Sequence, residues 1–278
     1  MSKPSIKIAL VIPTYNEEKF IEKSITALEE YLSTTMRNYK ASILIAEDGS
    51  TDNTLNIITS LSNKYDNIVI RHSPTKLGRG RAVKEAWRNI DANIYAYLDA
   101  DLATPLSYLD TLLDKCNDNN DDNNNGFDVV TGSRYIEHSE VKRPFLRNIV
   151  SKSYNYLINL IFGTSVKDHQ CGFKAVTKNA CRIICQKSIF DDWFWDTEIF
   201  VIARRNGLSV CEFPIKWQEK RGTKTPLKRL LKDISIHGLG IIKLMLNNNN
   251  QLKTKTEHNS SQDIKEKKIG EKKNSNEP

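Results

Sequence analysis

No apolar run in the 278 residues reaches about 18, so no membrane-spanning helix is predicted. No CxxC pair occurs among the five cysteines, Cys116, Cys171, Cys181, Cys185 and Cys211. Cys181 and Cys185 have the spacing of one helix face but lack partner ligands, which argues against zinc. An odd cysteine count without a secretory leader points to a reducing compartment, Met1–Lys7 being too short and polar for a signal peptide. There is no internal repeat and no recognised nucleic-acid module. The net charge of +7 suggests anionic partners, phosphates, nucleic acid or an acidic membrane surface, among which charge alone does not choose; a basic nucleic-acid-binding protein is the non-enzyme alternative, with charge its only support. Core-forming residues are scarce in two places. The Asn/Asp-rich stretch Asn117–Gly126 reads as a surface loop, and everything from Asn247 onward reads as a disordered polar tail. Residues 1–246 remain as one domain, and 247–278 as its tail.

What is present is organised around Ile94-Tyr95-Ala96-Tyr97-Leu98-Asp99-Ala100-Asp101. An apolar, β-prone run stops at two acids one residue apart. If the strand persists, both carboxylates share a side; if it ends sooner, they lie at its C-terminal lip, where open α/β sheets bind ligands. Two carboxylates so close repel each other unless a cation lies between them, and a hard divalent ion such as Mg²⁺ or Mn²⁺ suits them.

Upstream, the same grammar repeats. Ile6–Pro13 reads as a buried parallel strand, with Asn16 as the N-cap of a helix marked by Ile21, Ile25, Leu28 and Leu32. Ala41–Ala46 is a second strand, closing on Glu47-Asp48-Gly49-Ser50-Thr51-Asp52, and Leu55, Ile58 and Leu61 mark the helix that follows. Asn67–His72 is a third strand, ahead of Leu77-Gly78-Arg79-Gly80-Arg81-Ala82 and a helix through Trp87. The alternation implies an α/β fold with a doubly wound, mostly parallel sheet flanked by helices. Downstream, helices are expected over Ser107–Cys116, Leu146–Phe162, Lys178–Cys185 and from Glu198 to near Gly207. Strands are expected at Phe127–Gly132 and Ser209–Trp217, with Asp168–Lys174 a polar turn and Gln218–Thr225 a basic loop. Leu227–Leu246 is a basic amphipathic helix that fits either a membrane interface or the protein core.

These stretches, in this order, resemble the family 2 glycosyltransferases of the GT-A (Rossmann-like) fold. The matching segments are Val11–Glu17, Glu47–Asp52, Gly78–Ala82, Asp99-Ala100-Asp101 and Gly132-Ser133-Arg134. Asp168-x-Gln170-Cys171-Gly172-Phe173-Lys174, Trp195-Asp196-x-Glu198 and Trp217-x-Glu219 are similar to the dolichyl-phosphate β-glucosyltransferases, with the dolichyl-phosphate mannose synthases next. Mannose synthases often offer a further polar ligand where this chain has Ala103, which favours the glucosyl type.

The resemblance implies an inverting hexosyltransferase that uses a nucleotide-sugar donor, UDP-glucose before GDP-mannose, and a polyprenyl (dolichyl) phosphate acceptor. Asp99 and Asp101 would hold the metal and Asp48 the base or ribose. Pro13, Tyr15 and Glu17 would line the nucleotide pocket. Gly78 and Gly80 would let backbone approach the nucleotide while Arg79 supplies charge. Arg134, Arg147 and Ser151 match positions that hold an acceptor phosphate, and Arg147 and Ser151 share one helix face. Arg221 and Lys224 lie in a loop suited to closing over the phosphates. Asp168, Gln170, Asp196 and Glu198 are candidates for sugar hydroxyls, although Asp196 or Glu198 would equally cap a helix. The apolar part of Tyr154–Phe162, with Leu227–Leu246, suits a prenyl chain at the cytoplasmic face of a membrane, with peripheral attachment. A family 2 transferase acting on a non-lipid acceptor is the nearest competing function. A nucleotidyltransferase would want a Gly-rich turn where Pro13-Thr14-Tyr15-Asn16 stands.

Overall fold

The computed structural model describes residues 6–36, 39–117, 126–220 and 235–247. The chain divides into two compact units, residues 1–224 and 225–278. Arg221, Lys224, the start of Leu227–Leu246, most of Asn117–Gly126 and the tail lie outside the described residues. In the second unit a helix covers 235–247.

The first unit opens with β1 (Ile6–Thr14), α1 (Ile21–Thr34), β2 (Tyr39–Asp48), α2 (Thr54–Lys64), β3 (Ile68–Ser73), α3 (Arg79–Arg88) and β4 (Ile94–Leu98). Strands β1 and β4 are buried along almost their whole length because helices cover both faces of a parallel sheet. Ile21, Ile25, Leu28 and Leu32 form one buried face of α1, in the same core as Ile43 and Ile45 of β2. Burial of each such side chain stabilises the fold by about 1.5–3 kcal/mol. Helix α1 starts at Ile21, not near Asn16. Asn16 adopts a left-handed φ of 55° and bonds across to the neighbouring turn instead of capping.

A short 3₁₀ turn (Leu106–Tyr108) leads into α4 (Leu109–Cys116). Next come β5 (Val129–Ser133), β6 (Glu140–Lys142), α5 (Phe145–Phe162), β7 (Phe173–Thr177), α6 (Lys178–Lys187), α7 (Trp195–Arg205), β8 (Val210–Pro214) and β9 (Lys216–Gln218). The seven-stranded sheet runs β3-β2-β1-β4-β7-β5-β8, and β7 is antiparallel to both its neighbours. The expected polar turn at Asp168–Lys174 therefore ends inside a central strand. Because Leu98 faces Phe173 in register, β7 begins where β4 finishes, and residues 168–172 arrive at the ligand-binding edge. The expected Ser209–Trp217 strand breaks in two. Pro214 has no N–H to continue a ladder, and Lys216–Gln218 pairs with β6 in a separate ribbon.

Candidate active site

Strand β4 ends at Leu98, so Asp99 and Asp101 sit on the lip of the sheet. Asp99 donates its backbone N–H to the Gly172 carbonyl at 3.0 Å, and its carboxylate keeps 28% exposure. A Cβ on Gly172 would lie 2.2 Å from that carboxylate, so only glycine fits there. Asp101 is buried, and its Oδ1 accepts from the Ala103 N–H at 3.1 Å. Between them and β9, Lys220 clamps the turn by donating to the Asp101 and Leu102 carbonyls, both at 2.8 Å. Leu102 is held there at φ 47°, a strained conformation for its side-chain type.

Among the described residues no cluster of three or more His, Cys, Asp or Glu side chains closes around a metal. The donors present, two carboxylates at a lip, fit a hard divalent ion that takes its remaining oxygens from a substrate diphosphate and water.

The first two βα turns are stitched together. Asn16 N–H donates to Ser50 Oγ at 2.9 Å, and Asn16 Oδ1 accepts from the Thr51 N–H at 2.8 Å. The Glu17 N–H donates to Thr54 Oγ1, and Lys76 Nζ lies 3.3 Å from the Tyr15 ring centroid. Pro13 is half-buried at the end of β1 beside them. Asp48 is buried, with its carboxylate accepting from the Leu77 N–H at 2.7 Å and the Gly78 N–H at 3.0 Å. Its visible duty is to fold the 77–78 turn.

The glycines of that turn differ from expectation. The space a side chain would need at Gly78 is filled by the Asp191 carbonyl, and at Gly80 by Trp195. On the side a Cβ would occupy, they admit the 191–195 segment.

Arg79 reaches the acids. Its Nη2 lies 2.9 Å from Asp99 Oδ1 and its Nε 3.6 Å from Asp196 Oδ2, with the exposed Trp193 ring stacked 4.6 Å from Cζ. Burial alone would lower the Arg79 pKa, but the two carboxylates outweigh it and hold the group above its ordinary value. Asp196 is buried and bonded to Lys174 Nζ at 2.9 Å and to the Tyr97 hydroxyl. It belongs to a buried charge network with Lys174, Tyr97 and Arg79 behind the lip. Burial pushes Asp196 up and Lys174 down. Glu198 is buried too and accepts from Ser188 Oγ and the backbone of Ile189 and Phe190. That ties down the 188–190 turn. Trp195 is core, its ring 5.4 Å from that of Trp87.

Across the cleft, Arg134 follows β5. Its Nε and Nη2 donate to Asp168 Oδ2 and Oδ1 at 2.7 and 2.8 Å, and its backbone N–H donates to Oδ2 at 3.0 Å. Asp168 is fully buried beneath Arg134, and its carboxylate orients the guanidinium. Burial would raise Asp168, but Arg134 overrides it and holds the acid below its ordinary pKa. Gln170 is half-buried in the same turn.

Arg147 pairs with Glu219, and Ser151 accepts from Arg143 Nη1 at 3.1 Å. Arg143 also donates to the Tyr135 hydroxyl at 2.9 Å, while Arg134 and Arg143 both lie over the Trp217 ring. The Arg143 Nε is buried without a hydrogen-bond partner. Burial, and after it the charges of Arg134 and Arg147, pull the Arg143 pKa down. Arg134 and Arg143 thus converge on Trp217, Arg134 paired with Asp168 and, on the helix beyond, Arg147 paired with Glu219. Arg143 escaped the sequence reading because it precedes the helix. Its signal was the spacing Arg143, Arg147, Ser151, every fourth residue. Lys220 and Lys174 carried no signal that separates a buried lysine from a solvated one.

Paired acids at the C-terminal lip of a mostly parallel sheet flanked by helices are the arrangement that the glycosyltransferases of the GT-A fold share. The family model for glycosyl transferase family 2 matches residues 9–184, and the chain belongs to that family. It is similar to the glycosyltransferase AglD of Haloferax volcanii, 34% identical over 81% of this chain and 35% of that one. It is also similar to dolichyl-phosphate beta-glucosyltransferases. ALG5D of Trichomonas vaginalis is 31% identical over 83% of this chain and 71% of that one. The Saccharomyces cerevisiae enzyme is 30% identical over 83% and 74%. The chain thus spans about a third of AglD and under three quarters of the other two. Among solved structures it is similar in fold to glucosyl-3-phosphoglycerate synthase of Mycobacterium tuberculosis, a complex with Mn²⁺, UDP and phosphoglyceric acid. The TM-score is 0.60 at 15% identity, covering 87% of this chain and 78% of that one.

Proposed function

We propose that the chain transfers glucose from UDP-glucose to a polyprenyl phosphate such as dolichyl phosphate, with inversion, giving a β-linked lipid-phosphate sugar. The observation that carries the acceptor side is the pair Arg134 and Arg143 over Trp217, Arg143 donating to the Tyr135 and Ser151 hydroxyls while its buried Nε lacks a hydrogen-bond partner. Guanidinium forks suit phosphate oxygens. A phosphate acceptor is already anionic at neutral pH, so positioning takes the place of deprotonation. Arg134, fixed by Asp168, would aim the phosphate along the cleft, and Arg143 and Ser151 would hold its other oxygens.

On the donor side, Asp99 and Asp101 would hold a Mg²⁺ or Mn²⁺ ion, which when bound offsets charge gathering on the departing diphosphate. The Tyr15–Lys76 stack and the Asn16–Ser50 stitch shape the nucleotide side, and Arg79 stands behind Asp99 as a fixed cation. The relatives named for dolichyl-phosphate glucosylation support the choice of lipid and sugar. Ala103, apolar and buried, supports glucose over mannose. The reaction would run at the cytoplasmic face of a membrane.

The test is transfer of labelled sugar from UDP-glucose, GDP-mannose and UDP-GlcNAc to dolichyl phosphate in detergent. Mn²⁺ or Mg²⁺, EDTA and the Asp101→Ala variant serve as controls. Metal-dependent labelled lipid from UDP-glucose alone is the expected result. Label on a soluble acceptor, or donor hydrolysis without lipid product, overturns the lipid reading and leaves family membership intact.

A further inference from the structure

Of the four tryptophans, Trp87 and Trp195 are core and Trp217 is half-buried under two arginines, whereas Trp193 is 51% exposed. Leaving so large a ring in water forfeits hydrophobic stabilisation that a polar residue there would not. The segment that carries it, residues 188–194, is nevertheless tied down from two helices. From α3, the buried Lys84 Nζ donates to the Phe190 carbonyl at 2.7 Å, to Asp191 Oδ1 at 2.9 Å and to Ser188 Oγ at 3.2 Å. The Arg81 N–H donates to the Asp191 carbonyl at 3.1 Å. From α7, Glu198 accepts from Ser188, Ile189 and Phe190. Beside Trp193 itself, Asp192 Oδ1 accepts from the Phe194 N–H at 2.8 Å, and the buried Phe190 and Phe194 rings lie 4.7 Å apart. Two buried charges thus fix a short segment whose large exposed side chain is an indole. Arg79 joins that indole to the lip. Its Cζ lies 4.6 Å from the Trp193 ring and 5.3 Å from the buried Tyr97 ring, and its Nη2 lies 2.9 Å from Asp99 Oδ1. Trp193 is the outer of the two rings.

We propose that the exposed surface of the Trp193 ring is the platform on which the hexose of the nucleotide-sugar donor lies, stacked by a C–H face of the pyranose. The inference rests on the donor side of the proposed function and names the contact that recognises sugar as distinct from nucleotide. A pyranose carries its hydroxyls around the rim and C–H bonds on its faces. A flat aromatic ring covers such a face and leaves the hydroxyls free for hydrogen bonds. The guanidinium stacked on Trp193 and the ties along 188–194 set the ring plane before the ligand arrives, so little side-chain freedom is lost on binding. The other aromatic surfaces of the cleft have occupants of different chemistry. Tyr15 stands at the end of β1 with the turns that shape the nucleotide side, and Trp217 lies under the arginines of the acceptor side. Trp193 remains beside the lip, where a hexose joined to a diphosphate at Asp99 and Asp101 comes to rest.

The test is isothermal titration of the full chain with UDP, UDP-glucose, GDP and GDP-mannose, each with Mn²⁺ and without lipid acceptor. Trp193→Ala is expected to weaken the sugar nucleotide that wild type binds by about tenfold, while the parent nucleotide stays within about twofold. Trp193→Tyr keeps a flat ring and should recover most of the loss. Trp193→Leu keeps apolar bulk over Arg79 without a flat ring, and should lose as much as Trp193→Ala. All three variants should melt where wild type does, since the side chain is half in water. The proposal falls if Trp193→Ala weakens nucleotide and sugar nucleotide alike, which would make the ring a cover for Arg79. It falls equally if neither is weakened, or if Trp193→Leu binds as wild type does. Wild type that binds GDP-mannose and not UDP-glucose overturns the choice of donor, and the platform is then read from the GDP pair. Wild type that binds a sugar nucleotide through Trp193 but makes no lipid product overturns the acceptor reading alone. Wild type that binds none of the four overturns both.

Discussion

Gly172 lies against Asp99, just beyond the end of β4 and before the start of β7. Gly172→Ala must displace the Asp99 carboxylate, because the new methyl would meet it at 2.2 Å. Turnover is expected to fall by about 100-fold, with the metal concentration for half-maximal rate raised, as read from initial rates across a Mn²⁺ titration. Arg143 offers a separate handle. Arg143→Ala removes donors to Ser151 and Tyr135 at the acceptor pocket. The acceptor kcat/KM should drop by about 10- to 100-fold while the donor KM stays within about twofold. A matching drop in donor affinity would contradict the division of the cleft into two sides. Asp168→Asn is a different kind of change, since it strands the buried charge of Arg134. It should destabilise the fold by about 3–5 kcal/mol, visible in chemical denaturation.

Elements position these residues through buried polar ties. The 164–170 segment is pinned by His169, whose ring bonds Thr164 Oγ1 at 2.7 Å and Asn155 Oδ1 at 2.8 Å. Burial lowers the His169 pKa from 6.5 to about 3, so the folded protein keeps it neutral. Between those values the unfolded chain binds the extra proton. This contribution to stability is complete above about pH 6.5 and is lost as pH falls toward 3, at up to about 1.4 kcal/mol per pH unit. Denaturation midpoints between pH 7 and 4 should decline, and His169→Gln should flatten the decline.

The parallel half was legible element by element, because buried strands and amphipathic helices carry strong periodic signals. Strand Ile94–Leu98 lies within its expected bounds, and the Asp99/Asp101 pair stands where the lip was expected. Strand β7 was hidden. Phe173-Lys174-Ala175-Val176-Thr177 puts a lysine in a fully buried strand, and only the partners on Tyr97, Cys171 and Asp196 make that tolerable. Such a residue reads as polar surface until its neighbours are known. The partners of Asp168 and Asp196 were hidden for the same reason: nothing in the letter Asp says that Arg134 or Lys174 will be buried against it.

For the whole molecule, donor binding should couple metal to fold. UDP with Mn²⁺ should raise the melting temperature by several degrees, since a ligand at 100 times its Kd adds about 2.7 kcal/mol. UDP with EDTA should give little rise, and Asp99→Ala should remove the metal-dependent part, all readable by thermal scanning.

The strand order also bears on synthesis. In the finished sheet β7 stands between β4 and β5, yet the ribosome makes β4 more than seventy residues before β7. While the nascent chain extends only through α4, Ile94–Leu98 is a bare sheet edge of apolar residues, able to pair with another strand. The N-terminal half can assemble early, but the sheet closes only when Phe173–Thr177 leaves the exit tunnel and slots between its neighbours. Slowing translation between codons 117 and 172 would lengthen that exposure and should favour aggregation during expression. Supplying chaperone over that interval should recover soluble enzyme without altering its final stability.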